Sequence, residues 1–118
     1  MAYNEKLADR VRKVLARRKG VTEIRMMGGL CFTLRGNMCC GVLNDDLVVR
    51  IGPERYDKAL AQPHARPMDF TGRPLKGFVF VNPGGSRTDK ALATWMKEAI
   101  DFAHSLPPKK PRHQRKRR

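Results

Sequence analysis

At 118 residues, with 41% apolar and 31% charged side chains, the chain suffices for one hydrophobic core and is short for two. Lys and Arg number 25 against 11 Asp and Glu, a formal +14, so the partners attracted at long range are polyanions: nucleic acid, anionic membrane surfaces or acidic proteins. No stretch is long and apolar enough to span a bilayer or to form the core of a secretory signal, which argues against membrane insertion and predicts a cytoplasmic location.

Leu7, Val11, Val14 and Leu15 recur at helical spacing and predict a first helix over residues 5–19. Asn4 is placed to cap its start and Gly20 to end it. On its far side Lys6, Arg10, Lys13 and Arg17 follow the spacing that stacks four cations on one ridge. Short strands are expected next at 22–27, 30–35, 38–43 and 47–51, separated by Gly28-Gly29, Gly36-Asn37 and Asn44-Asp45-Asp46, all competent to turn. If Gly36-Asn37 is a two-residue loop, Cys39 faces Leu34 in the core and Cys40 points away. A loop one residue longer reverses them.

Gly52-Pro53-Glu54 opens a second, short helix that Pro63 closes, with Tyr56 and Leu60 as its inward anchors. Residues 62–76 carry Pro63, Pro67, Gly72 and Pro74 and are expected to form a loop or irregular crossing before a fifth strand at 77–81. A last helix over 88–105 places Leu92, Trp95, Met96, Ala99, Ile100 and Ala103 on one face. The order α-β-β-β-β-α-β-α predicts a single-domain α+β fold, a mainly antiparallel five-stranded sheet with covering helices. The domain is expected over residues 1–106 and a basic tail over 107–118. Beyond Pro107 the seven cations Lys109, Lys110, Arg112, Arg115, Lys116, Arg117 and Arg118 meet no carboxylate, so tail and body carry equal halves of the formal charge. Without apolar residues the tail cannot repay its ordering entropy and is expected to be disordered when unbound.

Arg25-Met26-Met27-Gly28-Gly29-Leu30, Gly36-Asn37-Met38-Cys39-Cys40-Gly41-Val42, Leu47-Val48-Val49-Arg50-Ile51-Gly52 and Pro67-Met68-Asp69-Phe70-Thr71-Gly72-Arg73-Pro74 together resemble the N-terminal domain of the TfoX/Sxy family. The resemblance runs from about residue 3 to about residue 107. It implies a compact α+β domain similar in fold to YjbR-like proteins and type III secretion chaperones, an association with regulation of natural competence, and no enzyme activity. It brings no catalytic or ligand-binding residues. Many members carry Met-Phe-Gly-Gly where this chain has Met26-Met27-Gly28-Gly29, and the competence regulators carry a second, helical domain where this chain has its basic tail.

Several motifs invite a site and have a plainer explanation. Met26-Met27-Gly28-Gly29 is able to form an anion nest, and equally a tight turn. Gly84-Gly85-Ser86-Arg87-Thr88-Asp89-Lys90 leads into a helix start but lacks the phosphate-loop pattern, so capping by Ser86 or Thr88 is the simpler reading. Asp69, Thr71 and Arg73 suit either a small pocket or local turn bonds. His64, His104 and His113 have no partner that makes a triad or metal set. Cys31, Cys39 and Cys40 lack C-x-x-C spacing and read as buried reduced thiols, and neighbours on a strand point to opposite faces, against a shared ligand. No acid, base and nucleophile set assembles, and no cofactor or metal is expected.

The residues thus predict a non-enzymatic regulatory or interaction module whose tail, with the ridge Lys6, Arg10, Lys13 and Arg17, contacts nucleic-acid phosphates without reading sequence. The alternative is a protein-interaction or chaperone-like module, or a small-molecule-binding domain, with an incidental tail. An exposed sheet edge leaves homodimerisation open.

Overall fold

The computed structural model describes residues 3–26, 28–69 and 74–109. The first helix, α1 (Glu5–Leu15), starts where Asn4 Oδ1 accepts the Leu7 amide at 3.0 Å and buries Leu7, Ala8, Val11 and Leu15. It ends five residues before Gly20. The next positions on its inner side are Arg18 and Lys19, which bring no apolar surface to bury. The chain instead turns through Ala16 to Gly20, where φ is 78°.

Six strands follow, not five: β1 (Val21–Met26), β2 (Gly29–Leu34), β3 (Asn37–Leu43), β4 (Asp46–Arg50), β5 (Ala65–Asp69) and β6 (Pro74–Val81). They form one antiparallel sheet in the order β1-β2-β3-β4-β6-β5. The segment expected to be a loop holds β5 and the start of β6. Its prolines are compatible with strands for positional reasons: β5 is a sheet edge, and Pro74 is the first residue of β6. A 3-10 turn, Pro53–Arg55, leads into α2 (Tyr56–Leu60), in which Tyr56 and Ala59 are buried and Leu60 packs from the side. The last helix, α3 (Asp89–Ser105), begins with Thr88 Oγ1 accepting the Ala91 amide at 3.0 Å. It buries Leu92, Met96, Ala99, Ile100 and Ala103, with Trp95 half-buried at the margin.

All three helices pack on one sheet face, where Phe32, Leu34, Val42, Leu47, Val49, Val79 and Val81 meet them in the main core. On the opposite face lies a smaller cluster of Val48, Met68 and Phe80, flanked by Met38, Leu43 and Phe78. Among the described residues no helix covers it.

The β2–β3 hairpin corrects both expected registers. Leu34 pairs with Asn37 and Thr33 with Met38, but Phe32 pairs with Cys40. The two turn residues are therefore Arg35 and Gly36, both with positive φ, 54° and 86°, as a tight hairpin turn requires. Cys39 is the extra residue of a β-bulge, and the bulge breaks the alternation of faces. Cys39 and Cys40 both enter the main core, at 1% and 0% exposure.

Candidate functional site

The root of the basic tail is fixed to the β2–β3 hairpin. The Lys109 amide donates to the Arg35 carbonyl at 2.8 Å, Asn37 Nδ2 donates to the Pro107 carbonyl at 2.8 Å, and Arg35 Nη2 donates to the Leu106 carbonyl at 3.3 Å. The Arg35 amide in turn donates to the Gly20 carbonyl at 2.8 Å. The turn after α1, the hairpin and the tail root thus lie side by side. Gly36 suits this place twice over: its φ is left-handed, and a Cβ there would overlap the Lys109 carbonyl.

This stacking gathers charge at one end of the molecule. Arg17, Arg18, Lys19 and Lys109 are all exposed there, while Arg35 is half-buried and braces the tail. The remaining tail cations Lys110, Arg112, Arg115, Lys116, Arg117 and Arg118 lie outside the described residues.

The four-cation ridge on α1 is not assembled as expected. Lys6 and Lys13 are exposed on the helix, but Arg17 lies past its end. Arg10 is engaged elsewhere, donating to Asp89 Oδ1 and to the Arg87 carbonyl, each at 3.3 Å. Arg12, on the same helix, holds Glu23 of β1 through Nε at 2.7 Å and Nη2 at 2.9 Å, and Asp9 through Nη1 at 2.7 Å. That grip lowers the Glu23 carboxyl below its ordinary value, with the Arg12 hydrogen bonds the main cause.

The other motifs resolve into structure. Met26 pairs with Gly29 across a hairpin whose turn includes Gly28 at φ 77°, while Met27 lies outside the described residues. Gly84 and Gly85 belong to a short 3-10 turn, Pro83–Gly85, and Thr88 is the cap of α3. Thr71 and Arg73 fall outside the described residues, as does the side chain of Asp69, so the pocket considered for them does too. His104 is exposed on α3 and His113 lies outside the described residues. Among the described residues no three metal-ligating side chains converge.

His64 is placed more deliberately. It sits at φ 71°, its carbonyl accepts the Asn82 amide at 2.8 Å, and its ring lies on Gly84, where a Cβ would come within 2.7 Å of Cε1. It lines a cleft of about 770 Å³ between α2 and α3, together with Trp95, Lys58, Lys90 and Lys97. Arg55 Nη1 donates across the cleft to Glu98 Oε1 at 2.7 Å.

The three cysteines are free and buried. Burial, assisted by the nearby Cys39, pushes the Cys31 thiol up to about 11. Cys40 is raised well above an ordinary thiol by its hydrogen bond with Cys39 and by burial, and Cys39 is lowered chiefly by that same bond, with Arg18 nearby adding to the effect. Cys39 is the more acidic member of the pair. Neither thiol is presented to solvent, so the cluster is a packed part of the core.

The residues that build the tail root, Arg35, Asn37 and Gly36, carry no signal in the sequence beyond that of a turn. Of the cations in the turn after α1, the sequence singled out Arg17 alone, and nothing local brought that turn to the hairpin that holds Lys109. No curated protein and no solved structure gives a significant match to the chain. The TfoX N-terminal domain model matches residues 13–103, from within α1 to the last turns of α3, and the chain belongs to the TfoX N-terminal domain family.

Proposed function

We propose that this TfoX N-terminal domain is a non-enzymatic regulatory or interaction module that contacts nucleic-acid phosphates without sequence preference through its basic end. The observation that carries the reading is the docking of the tail root against the β2–β3 hairpin, where Arg35 bonds both Lys109 and Gly20, the end of the turn bearing Arg17, Arg18 and Lys19. A fixed root starts the tail at Lys109 on the hairpin that also holds the turn after α1. Arginine-rich segments suit phosphate oxygens and stack on unpaired bases. The exposed cations of the body, Lys6, Lys13, Arg17, Arg18 and Lys19, are long side chains suited to phosphate contact, which supports backbone contact over base reading. The element order, one antiparallel sheet backed on one face by helices, supports the kinship with YjbR-like proteins and type III secretion chaperones that the sequence resemblance implies.

The test is binding to a random duplex and to an unstructured RNA across a salt series. Affinity is expected to fall steeply with salt. Removing residues 110–118 while keeping the hydrogen-bonded Lys109 should abolish most of it. Reversing Arg17, Arg18 and Lys19 to Glu should weaken it further than reversing Lys6 and Lys13. Binding unchanged by the truncation would sink the proposal. A second reading, binding of a small anionic aromatic molecule, draws on the cleft that brings Trp95, His64 and lysines together. Quenching of Trp95, the sole tryptophan, on titration with nucleoside phosphates, lost on Lys58→Ala, would support it.

A further inference from the structure

The two edges of the sheet, β1 and β5, differ in what they offer a further strand. At β5 the His64 carbonyl accepts the Asn82 amide, so the alternation of an antiparallel ladder turns Ala65 and Pro67 outward. Pro67 has no N–H to give there, which blunts that edge. At β1 the Gly20 carbonyl accepts the Arg35 amide. By the same alternation Thr22, Ile24 and Met26 bond to β2, while Val21, Glu23 and Arg25 turn their amides and carbonyls outward. This edge carries no proline, and no other described strand pairs with it. Helix α1 packs over β3 and beside α3 and reaches β1 through the Arg12 side chain. Residues 22–26 are all exposed, with Ile24 and Met26 on the open face of the sheet and Glu23 and Arg25 on the helix face.

Charge selects both the occupant and its register. When β1 lies antiparallel to β1 of a second copy, outward residues meet outward residues if the two-fold axis passes Glu23, Ile24 or Arg25. An axis at Glu23 sets two carboxylates face to face and one at Arg25 two guanidiniums, and like charges directly opposite destabilise a pair. An axis at Ile24 instead places Glu23 opposite Arg25 of the second copy, reciprocally, and Ile24 opposite Ile24. Arg25 has no ion-pair or side-chain hydrogen-bond partner among the described residues. Glu23 takes two bonds from Arg12, and a carboxylate has room for about four. Asp9, Arg12, Glu23 and Arg25 together carry no net charge, so this edge is locally neutral in a chain of formal +14. The basic turns are carried away from the axis: at about 3.3 Å per residue the two Gly20 positions stand about 26 Å apart, beyond the screening length of about 10 Å at about 0.1 M salt. We propose that β1 pairs with β1 of a second copy across a two-fold axis at Ile24, joining two sheets into one through reciprocal Glu23–Arg25 contacts. This interface is separate from the basic end and does not rest on nucleic-acid binding.

The test is sedimentation of the full chain at about 0.15 M salt, with concentration raised to about 1 mM because so short an edge makes a weak interface. The mass should climb from 13.4 kDa toward twice that value. Over the same series amide exchange at Glu23 and Arg25 should slow at least about threefold, while Ala65, outward on β5, keeps its rate. Glu23→Lys leaves cations at both positions and Arg25→Glu leaves carboxylates at both. Each variant alone should associate at least about tenfold more weakly. Mixing the two should restore association, since every pair across the axis is then opposite in charge. The exchange measurement uses the parent chain and decides the matter even where a reversal unfolds. A mass fixed at 13.4 kDa with the Glu23 and Arg25 amides unchanged would overturn the proposal. So would self-association that the single reversals leave intact or that their mixture fails to restore, because another surface would then hold the copies together.

Discussion

Arg12 reaches Glu23 with two nitrogens and Asp9 with a third, joining α1 to the edge strand β1. Because the folded state lowers the Glu23 pKa, the pair's contribution is complete above the unfolded carboxyl value, near 4.3, and is lost as pH falls through the lower folded value. Both side chains are more than a third exposed, so solvent screening holds the contribution to about 0.5–1 kcal/mol. Glu23→Gln should therefore lower stability by about that amount at pH ~7, and chemical unfolding at pH ~2–3 should show the variant and the parent converging. A difference that persists at low pH would mean that Glu23 acts through packing and not through its charge. The cysteines make a second residue-scale case. Cys31, Cys39 and Cys40 are all buried, so that, although Cys39 is the more acidic of the adjacent pair, the nucleophilic thiolate is inaccessible to a reagent. An aromatic disulfide reagent at pH ~8 should modify the native protein at least ~100-fold more slowly than the denatured chain, in which all three thiols react, with the native rate set by opening of the fold. Rapid modification of one thiol in the native state would show that the bulge at Cys39 opens on its own.

Among the elements, the hairpin between β2 and β3 joins the fold to the candidate site. Gly36→Ala places a methyl group on the Lys109 carbonyl and in a left-handed conformation, at a cost of about 1 kcal/mol or more. Asn37→Ala leaves the turn intact but removes the donor to the Pro107 carbonyl, costing about 1–2 kcal/mol because Asn37 is buried. Either change should raise amide hydrogen exchange at Lys109 while leaving the Val42 and Val49 amides protected, which separates release of the tail root from general unfolding. The same hairpin marks where sequence reasoning stopped. Helices α1 and α3 were legible from the spacing of Leu7, Val11 and Leu15 and of Leu92, Met96 and Ile100, with Asn4 and Thr88 at their starts. Strands β2 to β4 were legible from the turn residues between them. The turn itself was displaced by one position because Arg35 adopts a left-handed φ and Asn37 is drawn into holding Pro107, an interaction spanning 70 residues that no local pattern carries. Alternation then misplaced Cys40, since a bulge adds a residue without any mark in the composition. Strand β5 was missed because Pro67 and its neighbours lack the β-branched residues of a strand, and pairing with β6 supplies what propensity does not.

At the scale of the whole molecule, the charge count becomes a distribution with two consequences. Among the described residues five cations, Arg10, Arg12, Arg55, Arg66 and Lys97, are held in ion pairs, whereas Arg17, Arg18, Lys19 and Lys109 have none. Cations already paired release few counterions on meeting a polyanion; unpaired ones release nearly one each. The slope of log affinity against log salt therefore counts the unpaired cations that meet phosphate, independently of how tight the complex is. Truncation before residue 110 removes six cations and should flatten the slope for duplex DNA by up to about 5, at about 0.9 per contact. Reversal of Arg17, Arg18 and Lys19 should flatten it by up to about 3, and the two changes together should add. Reversal of Arg10 and Arg55, both paired, should leave the slope almost unchanged. If Arg10 and Arg55 alter it as much as Arg17 and Arg18 do, the polyanion is responding to net charge alone, and the fixed tail root gives no preferred end at which to bind.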